Sequence, residues 1–409
     1  MSGDILFLCH RIPFPPDRGD KIRSCHLLKA LAEDHRVHVA TFAENAEDRA
    51  AENTLADIAT SHCLVDRNLS NGRAGALALL SGKPVSLAAF DSHAIRDYVA
   101  QVLRSHSIDT IVVFSGQMAQ YVPEDFSGRF IMDFADVDSA KFESYAETAK
   151  GPMRAVYRRE ARMMASYERA IAVRADISSF VSEAEAALFR QRIGTAPARI
   201  EALGNGIDTE YYDPDLLDIA ERPFVSHGPH IVFTGQMDYP PNIEAVSSFA
   251  REVMPAIHGQ LPDAQFHIVG RAPGDAVMAL AALPGVHVTG AVADVRPWIG
   301  YADLVVAPLR TARGIQNKVL EAMAMGRTVI ASAQAAEGID ARHDREFLVA
   351  ASPADEAAKA IALLSDRARA RDIGAAARMR MLTHYGWNAQ LAPLKAWLRE
   401  PRATMGKAA

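Results

Sequence analysis

Short apolar runs alternate with longer stretches whose apolar positions recur three or four residues apart, and this alternation runs twice along the chain. In the first half, Ile5 to Cys9, Val37 to Phe42, Ser61 to Val65, Ile108 to Phe114 and Arg129 to Phe134 have the length and β-branched content of buried strands. Helical spacing fills the intervals at Ile22 to Glu33 and Ala46 to Ala59. Ala175 to Phe180 is strand-like, and Ser182 followed by Glu183 and Glu185 predicts a capped helix start. Strands and helices in strict alternation predict a parallel sheet with right-handed crossovers.

The first half ends at Gly204-Asn205-Gly206-Ile207-Asp208, followed by Tyr211-Tyr212-Asp213-Pro214. This turn and proline interrupt the alternation, and the residues to about Phe224 read as linker. Beyond it, strands are expected at Ile231 to Thr234, Phe266 to Val269, Val286 to Thr289, Leu304 to Leu309 and Thr328 to Ala331. Helices are expected from Ile243, over Val295 to Tyr301, Ile315 to Met325, Ala354 to Leu364, Asp366 to Leu382 and Ala389 to Arg399. The tail after Pro401 reads as disordered. The fold class is therefore α/β with two Rossmann-like domains.

A chain of 409 residues suits two domains, and 49% apolar against 23% charged residues excludes a disordered chain. The formal charge of -6, without a long run of either sign, argues against nucleic acid as a partner. Cys9, Cys25 and Cys63 have neither zinc spacing nor the even count of a disulfide scaffold, which fits a reducing cytoplasm. Ile5 to Cys9 is too short for a signal peptide core, and the stretch around Ala76 to Leu80 is far short of a membrane span.

Three stretches offer chemistry. Arg313-Gly314-Ile315-Gln316-Asn317-Lys318 leads from a strand into a helix, Lys318 and Glu321 lie three apart on one face, and Gly326 suits a left-handed helix end. A helix N-terminus with a lysine in its first turn can seat phosphate, and a glutamate one turn deeper can accept hydrogen bonds from a ribose diol. Spacing alone also fits an ordinary charge pair on a solvated helix. Second, Pro13 to Lys21 holds prolines, then Arg18, Gly19, Asp20 and Lys21, and predicts a ligand-facing loop whose glycine permits close approach. Third, Asp136 and Asp138 form an Asp-x-Asp after a strand, at the end where ligands bind parallel sheets. Such a pair can hold a divalent cation, though metal binding is not expected here. A further helix, Pro152 to Val173, carries Met153, Val156, Tyr157, Met164, Tyr167 and Ile171 at helical spacing beside Arg154, Arg158, Arg159, Arg162 and Arg169. It reads as a core stripe with a basic solvated face, or as a contact for anionic lipid.

Gly314 to Gly326, with its Glu-Ala-Met-Ala-x-Gly segment, resembles the donor signature of the family 4 glycosyltransferases. Gly204 to Pro214 resembles that family's interdomain junction, and Pro13 to Leu31 is most similar to sugar transferases associated with exopolysaccharide and exosortase (PEP-CTERM) gene clusters. The resemblance implies the GT-B fold: an acceptor domain over 1–208 and a donor domain over 209–385, facing across a cleft. A final helix in 386–409 would cross back to the first domain. It implies Lys318 and Asp136 as catalytic groups. Donor binding would fall to Gly19, Gly235, Gln236, Arg313, Gly314, Ile315, Gln316, Asn317, Lys318 and Glu321, and the acceptor side to Arg18, Asp20 and Lys21. Departures are Arg313 where the family often has a Glu, Ala135 where many members have a His, Gln236 and Asn242 in place of an Arg and a Lys, and a single Gly19 in place of a glycine pair.

The function so implied is transfer of a sugar from a UDP- or GDP-linked donor to a glycan or lipid-pyrophosphate acceptor, without a cofactor or metal. It would proceed with retention, in the cytoplasm or at the inner face of its membrane. A sugar-nucleotide 2-epimerase and a non-catalytic nucleotide-binding relative share the fold and remain open.

Overall fold

The structure is a computed structural model that describes residues 3–16, 18–67, 82–218, 220, 222–312 and 315–401. Two compact units divide the chain: Met1–Asn205 with Gln390–Ala409, and Gly206–Ala389. The stretch around Ala76 to Leu80 and the tail from residue 402 lie outside the described residues.

In the first unit, seven parallel strands are ordered β3-β2-β1-β4-β5-β6-β7. They are β1 (Asp4–Cys9), β2 (Val37–Ala43), β3 (Ser61–Asp66), β4 (Ile108–Phe114), β5 (Arg129–Ala135), β6 (Ile177–Phe180) and β7 (Ile200–Ala202). The second unit orders β10-β9-β8-β11-β12-β13, formed by β8 (His230–Thr234), β9 (Gln265–Val269), β10 (Val286–Gly290), β11 (Leu304–Ala307), β12 (Val329–Ser332) and β13 (Leu348–Ala350). Every residue of β2 and of β8 is buried. Helices cover both faces of such a sheet, which is why its strands read as continuous apolar runs instead of alternating ones.

Departures from the sequence reading have local causes. Helix Pro240–Ser248 begins three residues before Ile243, because prolines in a first turn sacrifice no backbone donor that the helix uses. The helix expected from Ile315 begins at Asn317, since Gln316 keeps an extended backbone at φ -87°, ψ 100°. Ala46 to Ala59 divides into Ala46–Ala50 and Glu52–Ala56, with Ala51 out of helical geometry between them. Helix Pro152–Arg174 buries Met164 and Ile171, whereas Met153 and Val156 stand exposed, so its apolar stripe meets the core only in its later part. Ser182 caps helix Glu183–Ile193 by accepting from the Glu185 amide, and Gly326 takes φ 66° at a helix end. Among the described residues no helix is long and apolar enough to cross a membrane.

One buried ion pair joins distant parts of the first unit. Arg23, on helix Gly19–Ala32, donates from Nε to Asp133 Oδ2 at 2.8 Å and from Nη2 to Oδ1 at 3.1 Å. Its remaining donors reach the Leu203 and Gly204 carbonyls and Asn205 Oδ1. Ser179 Oγ also donates to Asp133 Oδ1. Both partners are about 2% exposed, so deleting one strands a charge without water. Arg23→Met is therefore expected to destabilise the first unit by about 3–5 kcal/mol in urea unfolding. Adding Asp133→Leu should restore part of that loss; a cost for Arg23→Met below about 1 kcal/mol would assign the pair no structural role.

Candidate functional site

A parallel sheet that grows outward from its first strand in both directions leaves a crevice where the direction reverses, at the carboxyl ends of its strands. That point lies between β1 and β4 in the first unit and between β8 and β11 in the second.

The second unit has a cleft of about 490 Å³ there, lined by residues that include Tyr212, Gly235, Gln236, Asn242, Arg271, Lys318 and Glu321. Lys318 stands in the first turn of helix Asn317–Ala324 and donates from Nζ to Asn242 Oδ1 at 2.6 Å. The same ammonium lies 4.2 Å from the centre of the Phe233 ring. Burial lowers its pKa to about 8, although Glu321 opposes that shift. Asn242 is itself anchored, because its Nδ2 donates to the Gln236 carbonyl. Glu321, one turn deeper, accepts from the Tyr212 hydroxyl. Its carboxyl is pushed above the usual range by burial, against the pull of Tyr212 and Lys318. Arg271, just past the end of β9, donates to Gln236 Oε1 at 3.3 Å.

Two glycines make this packing possible. A Cβ on Gly235 would lie 2.8 Å from Asn242 Nδ2 and 3.1 Å from Lys318 Nζ. One on Gly270 would lie 1.6 Å from the Gly235 carbonyl oxygen. The backbone at the ends of β8 and β9 thus approaches closely beneath the cleft floor.

Of the donor residues read from sequence, Gly235, Gln236, Gln316, Lys318 and Glu321 line this one cleft. Arg313 and Gly314 lie outside the described residues. Ile315 packs its side chain on the core of the second unit, and Asn317 is exposed without lining the cleft. Tyr212, Phe233 and Arg271 escaped the sequence reading as site residues. The Gly270-Arg271 pair closing a strand was the available signal for Arg271, whereas Tyr212 looked like linker.

At the carboxyl edge of the first unit, Arg11, Arg18 and Arg67 surround Asp20 and Glu44. His10 Nε2 lies 3.2 Å from Asp20 Oδ2. Burial would raise the Glu44 carboxyl, but Arg11, Arg18 and Arg67 outweigh it and hold the pKa at about 2. Asp20 is likewise held well below the usual range by His10 and Arg11 in spite of burial. One site expectation for this loop needs correction. Lys21 does not face a ligand: it is buried and donates to Asp48 Oδ1 at 2.6 Å. The helix expected from Ile22 begins at Gly19, and no protein atom lies within 4 Å of where a Gly19 Cβ would be.

Asp136 is exposed just past β5 and belongs to the first unit, whereas Lys318 belongs to the second. Asp138 is the first residue of helix Asp138–Thr148, and burial pushes its carboxyl up to about 6. Ala135 at φ 66° and Ser115 at φ 75° hold left-handed backbone just where β5 and β4 end. Such strain in non-glycine residues gathers at binding edges.

Comparison with known proteins is consistent with this geometry. Residues 228–366 match the family described as Glycosyl transferases group 1. The chain is 29% identical over 242 residues to the GDP-mannose-dependent alpha-(1-6)-phosphatidylinositol monomannoside mannosyltransferase of Mycobacterium tuberculosis, covering 55% of this chain and 62% of that protein. It thus spans about three-fifths of the length of that curated relative. HepE from Anabaena, solved with UDP and glucose, superposes with a TM-score of 0.61 at 14% identity over 98% of this chain and 100% of that one. Sucrose-phosphate synthase from Thermosynechococcus elongatus gives 0.61 at 17% identity, over 97% and 98%. WaaG, a glycosyltransferase involved in lipopolysaccharide biosynthesis, gives 0.57 at 16%, over 96% and 98%. The fold is that of the GT-B glycosyltransferases, built from two Rossmann-like parallel-sheet units.

The cleft chemistry predicts anion binding with a definite pH dependence. Lys318 is charged below pH 8 and loses its proton above it. Pyrophosphate affinity, measured by calorimetry relative to Lys318→Ala, should therefore be level below pH 8 and weaken by up to about tenfold per pH unit above it. The same affinity ratio at pH 7 and pH 9.5 would remove Lys318 from the anion site.

Proposed function

We propose that the chain is a glycosyltransferase that moves a sugar from a UDP- or GDP-linked donor to a glycan or lipid-linked acceptor. The observation that carries this reading is the convergence of Lys318 and Glu321 on one cleft at the switch point of the second sheet. The family match over residues 228–366 supports it. The mycobacterial relative's use of GDP-mannose makes guanosine one of the two bases to try first. The family 4 and exosortase-associated assignments deepen the same reading, as does a role in exopolysaccharide synthesis.

In this mechanism the Lys318 ammonium exchanges the Asn242 oxygen for donor phosphate oxygens, assisted by the positive end of its helix. Arg271 adds charge from the neighbouring strand end. Glu321, with one oxygen occupied by Tyr212, turns the other to the ribose diol. As the bond from sugar to phosphate breaks, negative charge grows on the departing diphosphate, where Lys318 stabilises it most. Asp136 contacts the transferred sugar, and the polar cluster of Arg11, Arg18 and Asp20 receives the acceptor. No protein nucleophile and no resident cofactor is required, and retention of configuration is the expected outcome. Exposed Tyr145, Met153 and Val156 beside Arg154, Arg158 and Arg162 suit an acceptor carried on an anionic lipid surface, met from the cytoplasmic side.

The first test is a thermal-shift panel of UDP, GDP, ADP and their sugars at about 1 mM. A ligand at about 100 times its Kd stabilises by about 2.7 kcal/mol, enough to raise Tm by several degrees. One nucleoside should shift the wild-type protein, and Lys318→Ala should lose most of that shift while unfolding normally without ligand. Turnover should fall about a hundredfold or more in Lys318→Ala, and near-normal kcat would overturn its role. Nucleoside diphosphate release that depends on acceptor separates transfer from 2-epimerisation, which needs none. It also separates transfer from a non-catalytic relative, which releases nothing.

A further inference from the structure

The amino-terminal edge of the first sheet, opposite the strand ends just described, gathers a second set of polar side chains. Asp4 is the first residue of β1, His38 the second of β2, and His106 follows helix His93–Ser105 just before β4. These strands are neighbours in the order β2-β1-β4, so three adjacent strand starts each contribute one group. Backbone bonds set the spacing: the Asp4 amide donates to the Ser107 carbonyl, and Ile5 is paired with Val37 across the β1–β2 register.

Asp4 Oδ2 lies 3.1 Å from His38 Nε2 and 3.7 Å from His106 Nδ1, and all three atoms fall within 4.8 Å of one another. A tetrahedral cation about 2.0–2.2 Å from nitrogen and oxygen ligands has ligand-to-ligand edges of about 3.3–3.6 Å. The observed triangle needs only small side-chain rotations to meet that geometry. We propose that Asp4, His38 and His106 bind a zinc ion, completed by water as the fourth ligand, which ties together the starts of β1, β2 and β4.

The surroundings of His38 support this. Its ring is fully buried, and Nδ1 lies 2.8 Å from Ser61 Oγ, which in turn is 2.7 Å from the Tyr98 hydroxyl. With the proton on Nδ1, donated to Ser61, the Nε2 lone pair faces the Asp4 carboxylate, and a cation between them satisfies both. A hydrogen bond that fixes the tautomer from behind is the usual support of a metal-bound histidine. The ligand set of two imidazoles and one carboxylate, with one position open to water, is a zinc set and does not suit calcium or magnesium. Arg36 is the competitor. Its Nη2 lies 3.6 Å from Asp4 Oδ2, but the side chain is 61% exposed and free to turn into solvent.

The experiment titrates the full-length chain, stripped by chelator, with zinc chloride in a calorimeter, and in parallel with cobalt(II) while recording the visible spectrum. The wild type should take up one equivalent of zinc, gain thermal stability with it, and show the intense visible bands of four-coordinate cobalt. His106→Ala, at a partly exposed position, should keep the fold by circular dichroism, weaken zinc by at least about tenfold and lose the cobalt bands. Asp4→Asn should do the same, and Arg36→Gln should tighten binding. Zinc uptake unchanged in both His106→Ala and Asp4→Asn would place any metal elsewhere among the 14 histidines and overturn the proposal. Absence of saturable zinc binding by the wild type would overturn it equally, leaving a hydrogen-bonded Asp–His pair beside a tilted second imidazole.

Discussion

Backbone hydrogen bonding in a parallel sheet closes off nearly every place where chemistry could occur. The strands bond only to each other, helices seal both faces, and what remains open is the pair of sheet ends. Both units obey this constraint, with β1 and β8 as the central strands from which each sheet grows in two directions. The loops that leave the carboxyl ends of those strands carry Arg11 and Arg18 in one unit, with Asp20 in the first turn of the helix that follows, and Gln236 in the other. Lys318 enters from the helix after β11, the strand on the far side of the switch point. The location of the polar side chains is thus a property of the topology, on which the particular residues are superimposed.

The two kinds of buried charge in this protein behave differently. Arg23 is matched donor by donor: two bonds to a carboxylate, the others to carbonyls and a side-chain amide. Nothing is left over, and the group serves the fold. Lys318 is mismatched, with one short bond to a neutral amide oxygen, an aromatic face, and a glutamate that burial pushes towards its neutral form. Desolvating an ammonium with so little in return is unfavourable, and the deficit is removed when an anion enters. Stability given up in the free protein reappears as affinity.

Much of the architecture was legible from hydrophobic periodicity, because strands buried on both faces produce dense apolar runs that helices do not. Element ends were less legible where one backbone angle decided them, as at Gln316, or where prolines sat inside a first turn, as at Pro240 and Pro241. For the site, three-residue spacing puts Lys318 and Glu321 on one helix face but fits a solvated charge pair equally well, and the resemblance carried by Gly314 to Gly326 is what singled them out. Asn242 lies 76 residues from the lysine it holds, and no local pattern reports that pairing. Lys21 was misread for a related reason: a charged residue in a polar loop looks solvated until Asp48, 27 residues on, closes over it. Tyr212 was hidden by its surroundings, since a tyrosine beside Pro214 resembles linker until its hydroxyl is seen on Glu321.

The return of the chain to the first unit after residue 389 sets an order of assembly during synthesis. Helix Ala392–Arg399 and the residue after it supply Leu398 and Glu400 carbonyls to Arg129, the Glu400 carboxylate to Arg199, and Lys395 to Glu33. None of these partners exists until the whole of the second unit has left the ribosome. The second unit is contiguous and can close as soon as it emerges, whereas the first must wait with the edge around Arg129 and Arg199 uncovered. The domain made first is therefore the one finished last. Premature termination near residue 390 would leave a complete second unit attached to an incomplete first, a product that a chaperone or protease would recognise by the part synthesised earliest.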